Sequence, residues 1–295
     1  MKIVLQTINL HKSYGHVRAV SNLSVSIHEG NVYGILGPNG SGKTTTLAII
    51  TGVIRPDLGN FFWFEEKSSH DIRKKIGSLI EIPNFYPYLS LKRNLMIIAR
   101  IKNVPETDIP RVLDITGLSK RMNSRYDTLS LGMKQRLAVA SVLLGNPEVL
   151  VLDEPANSLD PEGIAEIRQI IKGEAEKNKT IILASHILDE VEKVCSHVAI
   201  LKNGEMIAQG KVNELLVSKD PVIISSENLD LLEEELIRSG LTESVNRQND
   251  ELLVVLKKGY TTSDINSYAF SKGLVLTRLE IRKRSLESQF LELVK

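Results

Sequence analysis

The chain has 295 residues and a formal net charge of +1, from 37 basic and 36 acidic residues. This length suits one large domain and a small one, and the balanced charge argues against nucleic acid as the main partner. The single cysteine, Cys195, cannot form an internal disulfide, and residues 1–6 lack the apolar core of a signal peptide. We therefore expect a reducing cytoplasm. No window approaches eighteen uninterrupted apolar residues, so a transport function would require a separate membrane subunit.

Residues 3–30 alternate in short apolar and polar steps, with turn residues at 13–15 and 29–30. This pattern predicts an antiparallel β layer at the start of the chain. Tyr14 lies in the first of these turns. An aromatic ring there either packs locally or stacks on a flat ligand such as adenine, and the residues alone leave both possibilities open.

Residues 37–45 fit the pattern G-x-x-x-x-G-K-[ST] between a predicted buried strand, Val32 to Leu36, and a helix predicted to begin near Ser41. Glycines allow successive backbone N–H groups to point at phosphate oxygens, and the helix start adds its positive dipole end. Lys43 can reach the terminal phosphate, and the hydroxyl of Thr44 can bind Mg²⁺. The predicted nucleotide-binding residues of this loop are Gly37, Pro38, Asn39, Gly40, Ser41, Gly42, Lys43, Thr44 and Thr45.

Residues 72–125 differ in character. Ile76 to Glu81 predicts a strand followed by a loop, residues 82–87, in which two prolines prevent a helix and leave Phe85 and Tyr86 near the surface. Short helices are predicted next, at Leu91 to Ile101 and Ile109 to Thr116. An apolar loop beside short helices is either a docking surface or a self-packed connection.

The following segment places polar residues at the starts of helices and the ends of strands. Ser130 is a plausible N-cap of a helix whose start favours anions. Asp153 and Glu154 directly follow the apolar run of a predicted buried strand, Val149 to Leu152. At this position Asp153 can hold Mg²⁺, largely through water, and Glu154 can orient and deprotonate an attacking water. His186 directly follows another buried strand and is either structural or a sensor of the terminal phosphate.

In this order and spacing, the chain from Tyr14 to Gly210 resembles an ATP-binding cassette (ABC) ATPase. The motifs that carry the resemblance are the phosphate loop Gly37 to Thr44, the signature Leu129 to Gln135, the strand Val149 to Glu154, the loop Ser158 to Asp160, and His186. The resemblance implies ATP and Mg²⁺ as cofactors and a homodimer of head-to-tail cassettes. Ser130, Gly132 and Gln135 of one copy would then close on the γ-phosphate held by Lys43 of the other. Tyr14 would stack on adenine, and Asp160 would communicate across the dimer.

Two departures from the common family pattern point to a subfamily. Glu81 stands where most members present a glutamine to Mg²⁺ and the attacking water, and Leu131 replaces the usual signature glycine. These features resemble the ATPases of bacitracin- and lantibiotic-type peptide exporters. Glu81 then becomes a candidate catalytic and metal-binding residue, because a carboxylate adds negative charge near Mg²⁺.

The resemblance also implies the architecture and the partners. We expect an α/β P-loop NTPase fold over residues 1–215, with a mixed, mostly parallel sheet, an antiparallel β layer and a helical subdomain near residues 85–145. The partner would be an integral membrane permease that docks near Phe85 and Tyr86. The chain would then be peripheral on the inner face of the cell membrane. The alternatives are a cassette ATPase without a permease, for example in iron–sulfur assembly, and an exporter of unrelated cargo.

Residues 221–295 lie outside the cassette and show no recognisable chemistry. Their predicted order, βαββαβ, indicates a small α+β domain of ferredoxin-like type. One further helix is predicted at residues 286–294.

Overall fold

The computed structural model describes residues 2–67, 70–81, 84–215 and 221–282. The chain divides into two compact units, the first ending at Val212 and the second beginning at Asn213. The helix predicted at residues 286–294 lies outside the described residues. Within the described ranges, no helix is both long and apolar enough to cross a membrane.

The strands of the first unit are β1 (Ile3–Tyr14), β2 (Val17–His28), β3 (Val32–Leu36), β4 (Leu58–Trp63), β5 (Glu66–Lys67), β6 (Ile76–Leu79), β7 (Val149–Asp153), β8 (Thr180–Ser185), β9 (His197–Lys202) and β10 (Glu205–Lys211). Its helices are α1 (Lys43–Ile50), α2 (His70–Lys74), α3 (Leu91–Lys102), α4 (Ile109–Ile115), α5 (Leu131–Leu143), α6 (Pro161–Ala175) and α7 (Leu188–Val194), and α8 (Val212–Leu215) leads into the second unit. The strand predicted at residues 32–36 is confirmed at these bounds, and the helix after the phosphate loop begins at Lys43, two residues later than predicted.

A six-stranded mixed sheet forms the centre of this unit, in the order β10-β9-β3-β8-β7-β6. All neighbouring strands from β9 to β6 pair in parallel, and β10 pairs antiparallel with β9. The strands β3, β7 and β8 are buried along their whole length, and polar side chains occur only at the ends of β7 and β8, as expected of parallel strands with both faces covered. Because they are parallel, their carboxyl ends lie at one edge of the sheet, where the predicted chemistry is concentrated.

A second, antiparallel sheet of order β2-β1-β4-β5 forms the predicted β layer. Its apolar side chains share one core with the central sheet and with α1. Trp63 is fully buried there, and its indole N–H donates a hydrogen bond of 2.7 Å to the carbonyl of Ile50. This bond ties the β layer to the last residue of α1, the helix that begins at Lys43.

The loop before α3 corrects one prediction. Phe85 is buried, with 8% of its surface exposed, because its ring packs on Tyr126 at a centroid distance of 5.1 Å. The expectation that Phe85 lies at the surface was therefore wrong. Tyr86 is 47% exposed and Tyr88 63% exposed, and the side chain of Asn94 fixes Tyr86 by bonding both its N–H (2.8 Å) and its carbonyl (3.1 Å).

The second unit contains β11 (Val222–Ser226), α9 (Leu229–Arg238), β12 (Thr242–Gln248), β13 (Glu251–Leu256), α10 (Thr262–Ser271) and β14 (Leu276–Ile281). Its sheet has the order β12-β13-β11-β14, and all of its paired strands are antiparallel. The element order βαββαβ is that of a ferredoxin-like fold. Apolar side chains of both helices and of the sheet form one small core, which includes Ile224, Leu232, Leu236, Val254 and Ile265.

Candidate nucleotide-binding site

The loop between β3 and α1 curls around the ammonium group of Lys43. This buried side chain donates hydrogen bonds to the carbonyls of Gly37 (2.8 Å) and Pro38 (3.4 Å). Gly42, the N-cap of α1, has a φ of 102°, and a Cβ at this position would lie 2.1 Å from the carbonyl oxygen of Ala19. Only glycine fits this conformation and this close approach. The curled backbone is the form that presents N–H groups to an anion.

The carboxylate of Glu154 lies between two other predicted site residues. One of its oxygens is 3.6 Å from the Lys43 ammonium, and the other is 2.7 Å from Nδ1 of His186. The backbone of Glu154 has a φ of 46°, which is uncommon for a residue with a side chain, and its N–H donates to the carbonyl of Ala184 on β8. The ends of β7 and β8 and the loop after β3 thus bring three side chains to one point.

Asp153 is 92% buried at the end of β7. Burial raises the pKa of its carboxyl, a hydrogen bond with Thr44 lowers it, and the negative charges of Glu154 and Glu81 raise it further. Its Oδ1 atom has no hydrogen-bond partner among the described residues. A buried carboxylate oxygen without a donor, next to a threonine hydroxyl, is an oxygen set that suits Mg²⁺. The residues present therefore fit this ion.

Glu81 lies two residues after β6, at the same edge of the sheet as Asp153. It is close enough for its negative charge to raise the pKa of the Asp153 carboxyl. Its side chain is exposed, and its backbone has a φ of 61°. A residue with a side chain adopts this left-handed conformation at a cost of about 1–3 kcal/mol. Such strained residues are most common in functional loops.

The signature residues occupy the start of α5. Ser130 caps this helix by accepting a hydrogen bond of 3.3 Å from the N–H of Met133, and Asp160 caps α6 through the N–H of Gly163, at 2.9 Å. The predicted cap at Ser130 is confirmed. The two helix starts line one open cavity of about 420 Å³, in which Gly132 has no neighbour within 4 Å of where a Cβ would be. Gln135 lies partly buried one turn further along α5.

Within one chain, the signature residues and the phosphate loop remain separate. In the described part of the chain, no hydrogen bond or ion pair joins Ser130, Gly132, Gln135 or Asp160 to Lys43, Glu154 or His186. The predicted site residues of one chain therefore form two separate groups, one at the sheet edge and one at the starts of α5 and α6.

Tyr14, the predicted adenine-stacking residue, ends β1 and is 51% exposed. The ammonium of Lys12 lies 5.7 Å from the centre of its ring and pairs with Asp57 at 2.7 Å. Sequence reasoning missed Lys12 and Asp57, because a separation of 45 positions along the chain leaves no local signal of the contact.

Comparisons with known proteins identify the family of this chain. The family model described as ABC transporter matches residues 20–157. The chain is 33% identical to the bacitracin transport ATP-binding protein BcrA of Bacillus licheniformis, over all of this chain and 98% of that protein. It is 40% identical to the lantibiotic transport ATP-binding protein SrtF of Streptococcus pyogenes, over 70% of this chain and 90% of that protein.

A solved structure extends the likeness to the fold. A dimeric ATP-binding cassette in a post-hydrolysis state, bound to ADP and phosphate, matches with a TM-score of 0.63 at 26% identity. The match covers 70% of this chain and 98% of that one. Together with the motifs and their positions in the structure, these matches show that the chain belongs to the ATP-binding subunits of ABC transporters, which bind and hydrolyse ATP.

Proposed function

We propose that Lys43, Thr44 and Asp153 hold Mg-ATP, and that Glu154 is the general base that orients and deprotonates the attacking water. The observation that carries this assignment is the position of the Glu154 carboxylate, 3.6 Å from the Lys43 ammonium and 2.7 Å from His186 Nδ1. A base at this place is oriented on one side by a histidine and on the other by the cation that would hold the terminal phosphate.

The remaining groups complete the reaction. With ATP bound, Lys43 exchanges its bonds to the loop carbonyls for oxygens of the β- and γ-phosphates, and it stabilises the negative charge that develops on the leaving diphosphate as the bond to the γ-phosphate breaks. Mg²⁺ would supply charge neutralisation between the phosphates, held by Thr44 and Asp153, with Glu81 nearby. His186 keeps the Glu154 carboxylate in place and senses the terminal phosphate.

The second group of site residues, at the starts of α5 and α6, supports a homodimer. Ser130 and Gly132 form a helix start with an open cavity in front of it, and such a start attracts anions through its N–H groups and its dipole. Head-to-tail pairing of two copies would place this start against the γ-phosphate held by Lys43 of the other copy. Asp160 lines the same cavity, which suits the proposed communication across the dimer.

The transport partner is proposed from the relatives and from one surface. Two similar proteins are named for bacitracin and lantibiotic transport, so we propose export of, or resistance to, an antimicrobial peptide. The cassette would act from the cytoplasm, bound to the inner face of the membrane through a permease. Tyr86 and Tyr88 are exposed aromatic rings in T-shaped contact, at a centroid distance of 6.0 Å, and form the proposed docking surface in place of the buried Phe85.

A capture experiment tests this proposal. Tagged Glu154→Gln protein, which would retain ATP without hydrolysing it, is incubated with Mg-ATP and detergent-solubilised membranes of the source cell, and bound proteins are identified by mass spectrometry. We expect a polytopic membrane protein that is lost when Tyr86 and Tyr88 are replaced by Asp. A control, Tyr260→Asp, removes a ring of similar exposure (45%) from the second unit and should leave the capture intact. Recovery of soluble partners alone, or of ribosomes, would contradict the permease assignment.

A further inference from the structure

Asp57 lies immediately before β4 and fixes the end of β1 through three bonds. Its Oδ1 pairs with the ammonium of Lys12 at 2.7 Å, and its Oδ2 accepts from the N–H of Ser13, also at 2.7 Å. Its own N–H donates to the carbonyl of His11 at 2.8 Å. Three consecutive residues are thus tied to one aspartate, and the next residue in the chain is Tyr14.

The same contacts constrain the ring of Tyr14. The Lys12 ammonium lies 5.7 Å from the ring centre, within the range of a cation–π contact. About half of Tyr14 nevertheless stays open to solvent, so the ring retains surface for a flat partner. Hydrogen bonds from Lys12 and from the Ser13 backbone lower the pKa of Asp57, which is therefore ionised at neutral pH and keeps both contacts.

We propose that Asp57 is a positioning residue for the purine base of the nucleotide: it fixes Lys12 and Ser13, and through them the orientation of Tyr14. The inference rests on the proposed stacking role of Tyr14. Asp57 itself lies beside the turn, outside the proposed phosphate contacts. When the Asp57 contacts are removed, Tyr14 spends a smaller fraction of time in the orientation that binds the base. The affinity for the nucleotide falls in proportion to that fraction. Because the contacts of Asp57 are an exposed ion pair and one bond to the backbone, removing them should lower the affinity for the nucleotide about fivefold.

The experiment separates binding of the base from binding of the phosphates. Dissociation constants for Mg-ADP and for Mg-pyrophosphate are measured by isothermal titration calorimetry on Asp57→Ala, Tyr14→Ala and the double variant. We expect Asp57→Ala to weaken ADP about fivefold and Tyr14→Ala by about fivefold to a hundredfold, the range of base–aromatic stacking. Pyrophosphate affinity should stay unchanged in all three, and the double variant should bind ADP as weakly as Tyr14→Ala alone.

A matched control removes a comparable ion pair elsewhere. Glu106 pairs with Arg100 at 2.7 Å, and its side chain is 39% exposed, against 45% for Asp57. Glu106→Ala should leave both affinities unchanged.

Two kinds of result overturn the inference, and they are distinguishable. Unchanged ADP affinity in Asp57→Ala, equal losses for ADP and pyrophosphate, or a double variant in which the two losses multiply would show that Asp57 does not act through Tyr14. Unchanged ADP affinity in Tyr14→Ala would instead show that Tyr14 does not bind the base, and would remove the premise as well as the inference.

Discussion

Replacing Asp153 by Asn should stabilise the nucleotide-free protein and weaken its response to Mg-nucleotide. Asp153 is 92% buried, and its Oδ1 has no hydrogen-bond partner among the described residues. An unpartnered buried oxygen costs about 1–3 kcal/mol, and more when it is charged. A neutral amide removes the charge and its repulsion from Glu154 and Glu81. An increase of about 1 kcal/mol in the free energy of unfolding would raise the melting temperature of a unit of this size by about 2–4 °C.

The difference in stability between Asp153→Asn and the wild type should depend on pH. Because burial raises the pKa of Asp153, the folded protein binds this proton more tightly than the unfolded chain does. The wild-type stability therefore falls as the pH rises from the ordinary aspartate value through the raised one. The advantage of Asn should be full above the raised pKa and should vanish below the ordinary value, where both side chains are neutral.

The assay is thermal unfolding at several pH values, with and without Mg-ADP. At about 100 times its dissociation constant, Mg-ADP should add about 2.7 kcal/mol to the wild type, and less to Asp153→Asn, which lacks the proposed carboxylate ligand of the ion. ADP without Mg²⁺ serves as the control and should stabilise the two proteins to a similar extent. A variant that melts below the wild type at high pH without nucleotide, or that gains as much from Mg-ADP, would refute this account of Asp153.

Two further substitutions test other contacts. His186→Ala removes the 2.7 Å contact to Glu154, so steady-state turnover should fall by about 10²- to 10⁴-fold while ADP affinity is kept; a fall of less than tenfold would contradict the role of His186. Trp63→Phe removes the indole donor to the Ile50 carbonyl and should lower the free energy of unfolding by about 1–3 kcal/mol in denaturant titrations followed by circular dichroism, whereas an unchanged midpoint would show that this bond contributes nothing.

The sequence predicted the sheet edge because each part of it carries a local signal. The glycine-rich loop, the apolar strand before Asp153 and the helix cap Ser130 depend on residues within a few positions of one another. Parallel pairing then places the strand ends together. These local patterns predict the candidate residues, and their order along the chain carries the family resemblance that implies the fold.

The remaining features depend on contacts between residues that are distant in sequence. Phe85 is buried by Tyr126, and Asp57 reaches Lys12 across 45 residues, so neither contact leaves a periodic pattern. The left-handed backbones of Glu81 and Glu154 cannot be predicted from the sequence either, because glutamate rarely adopts this conformation and tertiary contacts must impose it.

Glu154, held between Lys43 and His186, is the proposed base for ATP hydrolysis. Its most direct test is the steady-state ATPase rate of Glu154→Gln beside that of the wild type, with ATP binding measured on the same samples. The amide keeps the shape of the side chain and loses its basicity, so we expect turnover to fall by about 10²- to 10⁴-fold with ATP affinity retained. Near-normal turnover in Glu154→Gln would show that another group is the base.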